Sequence, residues 1–76
     1  MIASLRGTVL SLSGTVVVVE VGGVGLAAHV TPHHGSTLRL GHEAFLHTAL
    51  IVREDELSLF GFATTEELQV FDLLRS

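Results

Sequence analysis

The stretch TVVVVEV, Thr15 to Val21, restricts the possible fold more than any other part of this chain. Six of its seven residues are β-branched. Such side chains lose rotamer freedom in a helix and pack well on a pleated surface, so the stretch reads as a strand. It is apolar on both faces, with Val17, Val19 and Val21 on one and Val16 and Val18 on the other. A strand with one wet face alternates apolar and polar residues. This one needs cover on both sides, from a barrel core on one and from a loop or a second subunit on the other. Val16, Val17, Val18 and Val19 are therefore the candidate subunit interface.

The remaining segments supply neighbours for that strand. From Met1 to Leu12, Ser4, Arg6 and Thr8 alternate with Ala3, Leu5 and Val9 at a period near two, which predicts a first strand. SLSG (Ser11 to Gly14) reads as a turn. GGVG (Gly22 to Gly25) reads as another, and it lacks the GxGxxG spacing and following helix of a phosphate loop. LAAHVT (Leu26 to Thr31) is a third strand that stops at Pro32. The polar, glycine-bearing stretch His33 to Glu43 is a loop with room for one helical turn. AFLHTALIV (Ala44 to Val52) and LSLFGF (Leu57 to Phe62) form a hairpin whose tip is Arg53-Glu54-Asp55-Glu56. Hairpin tips favour Asn-Gly, Asp-Gly or Gly-Gly, and this one carries charge and no glycine.

The period then changes to that of a helix. Thr64 with Glu67 three residues on makes a capping-box pattern. Glu66 and Glu67 suit a helix N-terminus, and Arg75 suits a C-terminus. Leu68, Val70, Phe71, Leu73 and Leu74 span an arc of roughly 220°, wider than the ~100° stripe of an ordinary surface helix. One flank is expected on the barrel and the other on something outside it, which suggests a piece of a longer protein. Five short strands and a helix, with no βαβ alternation, predict a mainly β fold: a five-stranded OB-fold-like barrel with a C-terminal α-helix. An SH3-like barrel is the runner-up. An OB barrel usually carries a helix between its third and fourth strands. That connection here is PHHGSTLRLG, so any helix in it is expected to be vestigial. The expected boundaries are a barrel over 1–63 and, over 64–76, the first helix of whatever follows.

Size and charge limit what such a barrel can do. At 76 residues with no cysteine, the chain is one small domain without disulfide support. Its 47% hydrophobic and 16% charged composition is apolar for that size and points to a second subunit or domain. A net charge of −4, with four arginines and no lysine, is a poor grip for a phosphate backbone. No apolar run approaches the ~18 residues of a membrane span, and MIASLRG lacks the pattern of a signal peptide. A cytoplasmic protein with no membrane partner is expected.

Catalytic and metal chemistry find little support. The five histidines form no HxxxH on a helix and no carboxylate–histidine pairing, so they read as loop and surface residues. No serine lies in a nucleophile elbow. Glu54 and Asp55 are adjacent on a tip rather than flanking a cleft, which does not suit acid–base work. Neither catalytic residues nor a metal or cofactor is expected.

In its order of elements the chain resembles the N-terminal domain of the RuvA family, the Holliday-junction-binding subunits of the bacterial RuvAB branch-migration complex. The resemblance rests on MIASLRG at the start, VEVGGVG (Val19 to Gly25), VRED (Val52 to Asp55), LFGF (Leu59 to Phe62) and LLRS at the end. Family members usually carry Tyr after GVG and before GF, where this chain has Leu26 and Phe60. The resemblance implies that 64–76 is the truncated first helix of a following helix-hairpin-helix domain, and that the subunit forms a homotetramer, or two tetramers as an octamer, on four-way junction DNA. It implies a RuvB motor as partner, bound through a C-terminal domain absent here, which supplies ATP hydrolysis; this subunit is then non-catalytic. It implies that Glu54 and Asp55 are an acidic pin at the junction centre and that Arg53 lies near phosphate. The other reading is an oligomerisation or protein-interaction barrel with no direct DNA role, in which the charged turn is incidental. Removing the two charges distinguishes them, since only the junction module needs them for its DNA preference.

Overall fold

A computed structural model describes residues 3–75. The expected start of the first strand at Met1 and Ile2, and Ser76, lie outside the described residues. The element order is β1 (Ser4–Ser13), β2 (Val16–Val21), β3 (Val24–His29), α1 (Pro32–Ser36), β4 (Glu43–Val52), β5 (Leu57–Phe62) and α2 (Thr65–Arg75). The strands close into a barrel in the order β1-β2-β3-β5-β4. This is the five-stranded OB-like barrel with a terminal helix that the residue pattern predicts. The intervening helix is indeed short, a five-residue α1.

β1 is the strand on which closure depends. Its first half pairs with β4, from Ser4↔His47 to Thr8↔Glu43. Its second half pairs with β2, from Thr8↔Glu20 to Ser13↔Val16. The hand-over occurs at Gly7 and Thr8, where a Cβ on Gly7 would overlap the carbonyl oxygen of Glu20. Only glycine lets the strands cross that closely. A bulge between Val9 and Ser11 follows and turns Leu10 outward, 49% exposed. Bulges of this kind add local twist, which a closing barrel needs. The seam is completed by a single parallel pair, His29↔Phe60, between β3 and β5.

The β2–β3 hairpin turns on Gly22 and Gly23, both at positive φ (57° and 87°). Two positive-φ residues in a two-residue loop match the right-handed twist of the flanking strands. In β2 burial alternates from Val16 to Val19 and ends there, Glu20 and Val21 both being exposed. Val17 and Val19 are fully buried, while Val16 and Val18 are half-buried on the outer face. The core is built from these two with Leu5, Val9, Ala28, Val30, Ala44, Leu46 and Leu59. Burying each of the larger aliphatic side chains contributes about 1.5–3 kcal/mol.

α1 lies between β3 and β4 and buries His34. Thr31 caps it, its Oγ1 accepting from the His34 N–H at 3.0 Å, and Pro32 opens its first turn. α2 is capped as the sequence suggests. Thr64 Oγ1 accepts from the Glu67 N–H at 3.2 Å, and Glu67 Oε1 accepts from the Ala63 N–H at 3.2 Å. A run of rings docks α2 on the barrel. Phe71 lies 5.3 Å from Phe60 and 5.0 Å from Phe62, centroid to centroid, and His29 lies 5.2 Å from Phe60. The Arg75 guanidinium sits 5.9 Å over the Phe71 ring. Val70, Leu73 and Leu74 stay exposed on the other flank of α2.

Candidate functional site

β4 and β5 pair antiparallel from His47↔Phe62 to Val52↔Leu57. Burial ends before the pairing does. Ile51 and Leu59 are buried, whereas Val52 and Leu57 are 69% and 70% exposed. The hairpin therefore runs beyond the core, and at 3.3–3.4 Å per residue its apex stands about 10 Å past Ile51. The Arg53 N–H donates to the Glu56 carbonyl oxygen at 2.9 Å and closes the tip. Glu54 and Asp55 occupy the apex.

The apex needs no glycine, because no non-glycine residue among those described has positive φ. The charged residues sit in ordinary backbone conformations. All four tip side chains, Arg53 to Glu56, are exposed. Among the described residues, none of them is engaged in an ion pair or a side-chain hydrogen bond. Three carboxylates and one guanidinium thus face solvent at the far end of a projecting arm. Such a group exerts a field on whatever approaches and has nothing within the barrel to neutralise it.

The candidate interface divides in two. Val17 and Val19 have no exposed surface, since they fill the core of the barrel. They are not available to a second subunit, which corrects the expectation that all four valines face one. Val16 and Val18 remain, on an outer face that also carries Leu10. A Cβ placed on Gly25 would lie 3.2 Å from Val18 Cγ1 and 3.7 Å from Leu10 Cδ1, so these three positions share one patch.

The histidines scatter. His29, His33 and His42 are exposed and His47 is half-buried. His34, expected at the surface, is buried in α1 at 7% exposure. Its position follows from α1 itself, a helical turn that the polar composition of the loop only allowed for. Burial holds its imidazole below the usual histidine pKa; the nearby Glu67 charge and a hydrogen bond to the Gly61 backbone pull the other way, and His33 adds slightly to the lowering. Among the described residues, no group of three or more His, Asp and Glu could hold a metal ion. No described helix is long and apolar enough to cross a membrane. Two further features escaped sequence reading: the outward Leu10 at the bulge, and the Arg6 guanidinium 5.4 Å over the Phe45 ring on the β1–β4 face.

Comparison with known proteins adds to this geometry. Residues 1–61 match the family model described as the RuvA N terminal domain. A Holliday junction branch migration complex subunit RuvA from Leifsonia xyli subsp. xyli is 65% identical over 74 residues, 97% of this chain and 36% of that protein. The protein of the same name from Clavibacter michiganensis subsp. michiganensis is 57% identical over 97% of this chain and 35% of its own length. That of Streptomyces griseus subsp. griseus is 53% identical over the whole chain and 36% of its own length. The chain thus spans about a third of the length of the curated relatives it matches.

Proposed function

The chain belongs to the RuvA N-terminal domain family, and we propose that its barrel is the self-assembly and acidic-pin module of a Holliday-junction-binding subunit. The observation that carries this reading is the hairpin apex. Glu54 and Asp55 stand on a projecting arm, unpaired among the described residues and not forced there by turn geometry. In a four-fold assembly about eight such carboxylates would converge on the axis. Carboxylates are anionic at neutral pH and repel phosphates that come within a Debye length, ~8–10 Å at physiological salt. The pin therefore lowers affinity for a duplex laid across the centre and spares an open four-way junction, whose centre is free. Its contribution is discrimination rather than grip, which suits a chain of net charge −4. Arg53, at the foot of the pin, is the residue of this module that would meet phosphate.

Val16 and Val18, with Leu10, are the proposed contact to a neighbouring subunit in a homotetramer, two of which could face each other across the DNA. α2 is the proposed first helix of the next domain, its Val70 and Leu74 covered by the sequence that follows in the longer proteins. The module itself is non-catalytic and cytoplasmic, and a RuvB-type motor would supply ATP hydrolysis through another part of the subunit.

The test uses the full-length tetrameric subunit with Glu54→Gln and Asp55→Asn together. Binding to a four-way junction and to a duplex is measured at about 0.1 M salt. Duplex binding should strengthen several-fold while junction binding changes less, so the junction-to-duplex preference falls. The same preference in wild type and variant would remove the pin from the mechanism.

A further inference from the structure

Val52 and Leu57 are the last paired residues of the β4–β5 hairpin before its tip, and the proposed function makes no use of them. Both are aliphatic, and they are 69% and 70% exposed. Single exposed aliphatic side chains are ordinary on protein surfaces. These two are not single. Residues directly opposite in an antiparallel pair point to the same face, so Val52 and Leu57 stand side by side. Side chains two apart share a face as well, which puts this pair in one row with the Leu50–Leu59 pair. Leu59 belongs to the core and Leu50 packs against it. The core-facing row of the hairpin thus continues about 7 Å beyond the Leu50–Leu59 pair, out onto the arm that carries Glu54 and Asp55.

The charges above this pair decide what can cover it, an argument that rests on the pin reading of the apex. Carboxylates at the apex repel phosphates within ~8–10 Å, and the pair lies inside that distance. DNA that reaches the pair must therefore present an uncharged surface. The centre of an open four-way junction supplies one. The innermost base pair of each arm has lost a stacking neighbour there and turns one flat face inward. Such faces are apolar, and aliphatic side chains are wedges that DNA-binding proteins set against unstacked base steps. A second copy of the arm fits less well. Closing four arms together to bury their apolar rows would press about eight like charges together.

We infer that Val52 and Leu57 form an apolar collar beneath the pin, which packs against the exposed faces of the innermost base pairs of a four-way junction. The apex keeps phosphates away, and the collar replaces part of the stacking lost where the arms meet. The two act on binding with opposite signs. The apex lowers affinity for a duplex laid across the centre, while the collar raises affinity for the open junction. In a four-fold assembly each collar meets one arm.

The test uses the full-length tetrameric subunit with Val52→Ser and Leu57→Ser together, and a four-way junction with thymine in the innermost pair of each arm. Permanganate attacks the face of an unstacked thymine, so its reaction at saturating protein reports whether that face is covered. Junction affinity should fall about fivefold, the equivalent of partly uncovering two aliphatic side chains. Thymine reactivity in the complex should rise, while duplex affinity and subunit size in sedimentation match wild type. Val52→Ile with Leu57→Met keeps the apolar surface and should keep the wild-type values. Unchanged junction affinity or unchanged thymine reactivity in the serine variant would overturn the inference. So would a smaller species in sedimentation, which assigns the pair to a subunit contact. A lowered denaturation midpoint without DNA would overturn it too, since protein would then already cover the pair. The Glu54→Gln and Asp55→Asn variant reads the pin separately: it moves duplex binding, whereas the collar moves junction binding, so either idea can fail alone.

Discussion

At Gly7 the backbone of β1 comes within contact of the Glu20 carbonyl, leaving no room for a side chain. The obstruction is backbone, which cannot rotate away as a flexible side chain would. Gly7→Ala should therefore cost more than 2 kcal/mol, at or above the upper part of the usual ~1–3 kcal/mol range for overpacking, read as a lowered denaturation midpoint. Gly22→Ala is the informative comparison. Its φ of 57° is strained for alanine, but open space surrounds it. A loss of about 1 kcal/mol is expected there. Equal losses at the two sites would mean that the close approach at Gly7 relaxes cheaply. Both glycines look alike in the sequence, because neither crowding by a strand far away in the chain nor the sign of φ is written in local composition.

Most elements could be read from the chain because each has one dominant cause. A β-branched run made β2, apolar alternation announced β1, and the Thr64–Glu67 pair announced the start of α2, which the hydrogen bonds then matched. Element ends were displaced by a residue or two, as with β3, which starts at Val24 rather than Leu26. What stayed hidden depends on long-range closure: the double pairing of Thr8, the bulge at Leu10, and the burial of His34 by a helix of five residues. The tip residues were visible as charges, but not their conformation. For α2, cap and docking can be separated by experiment. Thr64→Ala removes the cap acceptor and should cost about 1 kcal/mol, seen as faster amide exchange in the first turn of α2. Phe71→Ala removes the ring held between Phe60 and Phe62 and should free the whole helix, at about 1–3 kcal/mol. Barrel amides that exchange as slowly as before in Phe71→Ala would show α2 to be a separately opening unit. Uniform loss of protection would show that barrel and helix unfold together.

For the whole molecule, the alternation in β2 separates folding from the proposed assembly. Val17 and Val18 are neighbours of identical chemistry, one with no exposed surface and the other half-exposed beside Leu10. Val17→Asp places a charge in the core and should abolish the cooperative unfolding transition. Val18→Asp should keep the circular dichroism of the folded barrel and shift the full-length subunit toward smaller species in sedimentation. Retention of the wild-type size would take the outer face of β2 out of the assembly. In the proposed pin, chemistry and backbone are separable. Because its apex is built in backbone conformations that any L-residue adopts, its letters are free to change without disturbing the barrel. Charge at that point behaves as an adjustable setting, open to selection or redesign one residue at a time. On the proposed reading, a lineage can shift between a strongly and a weakly repelling apex while keeping every strand where it is.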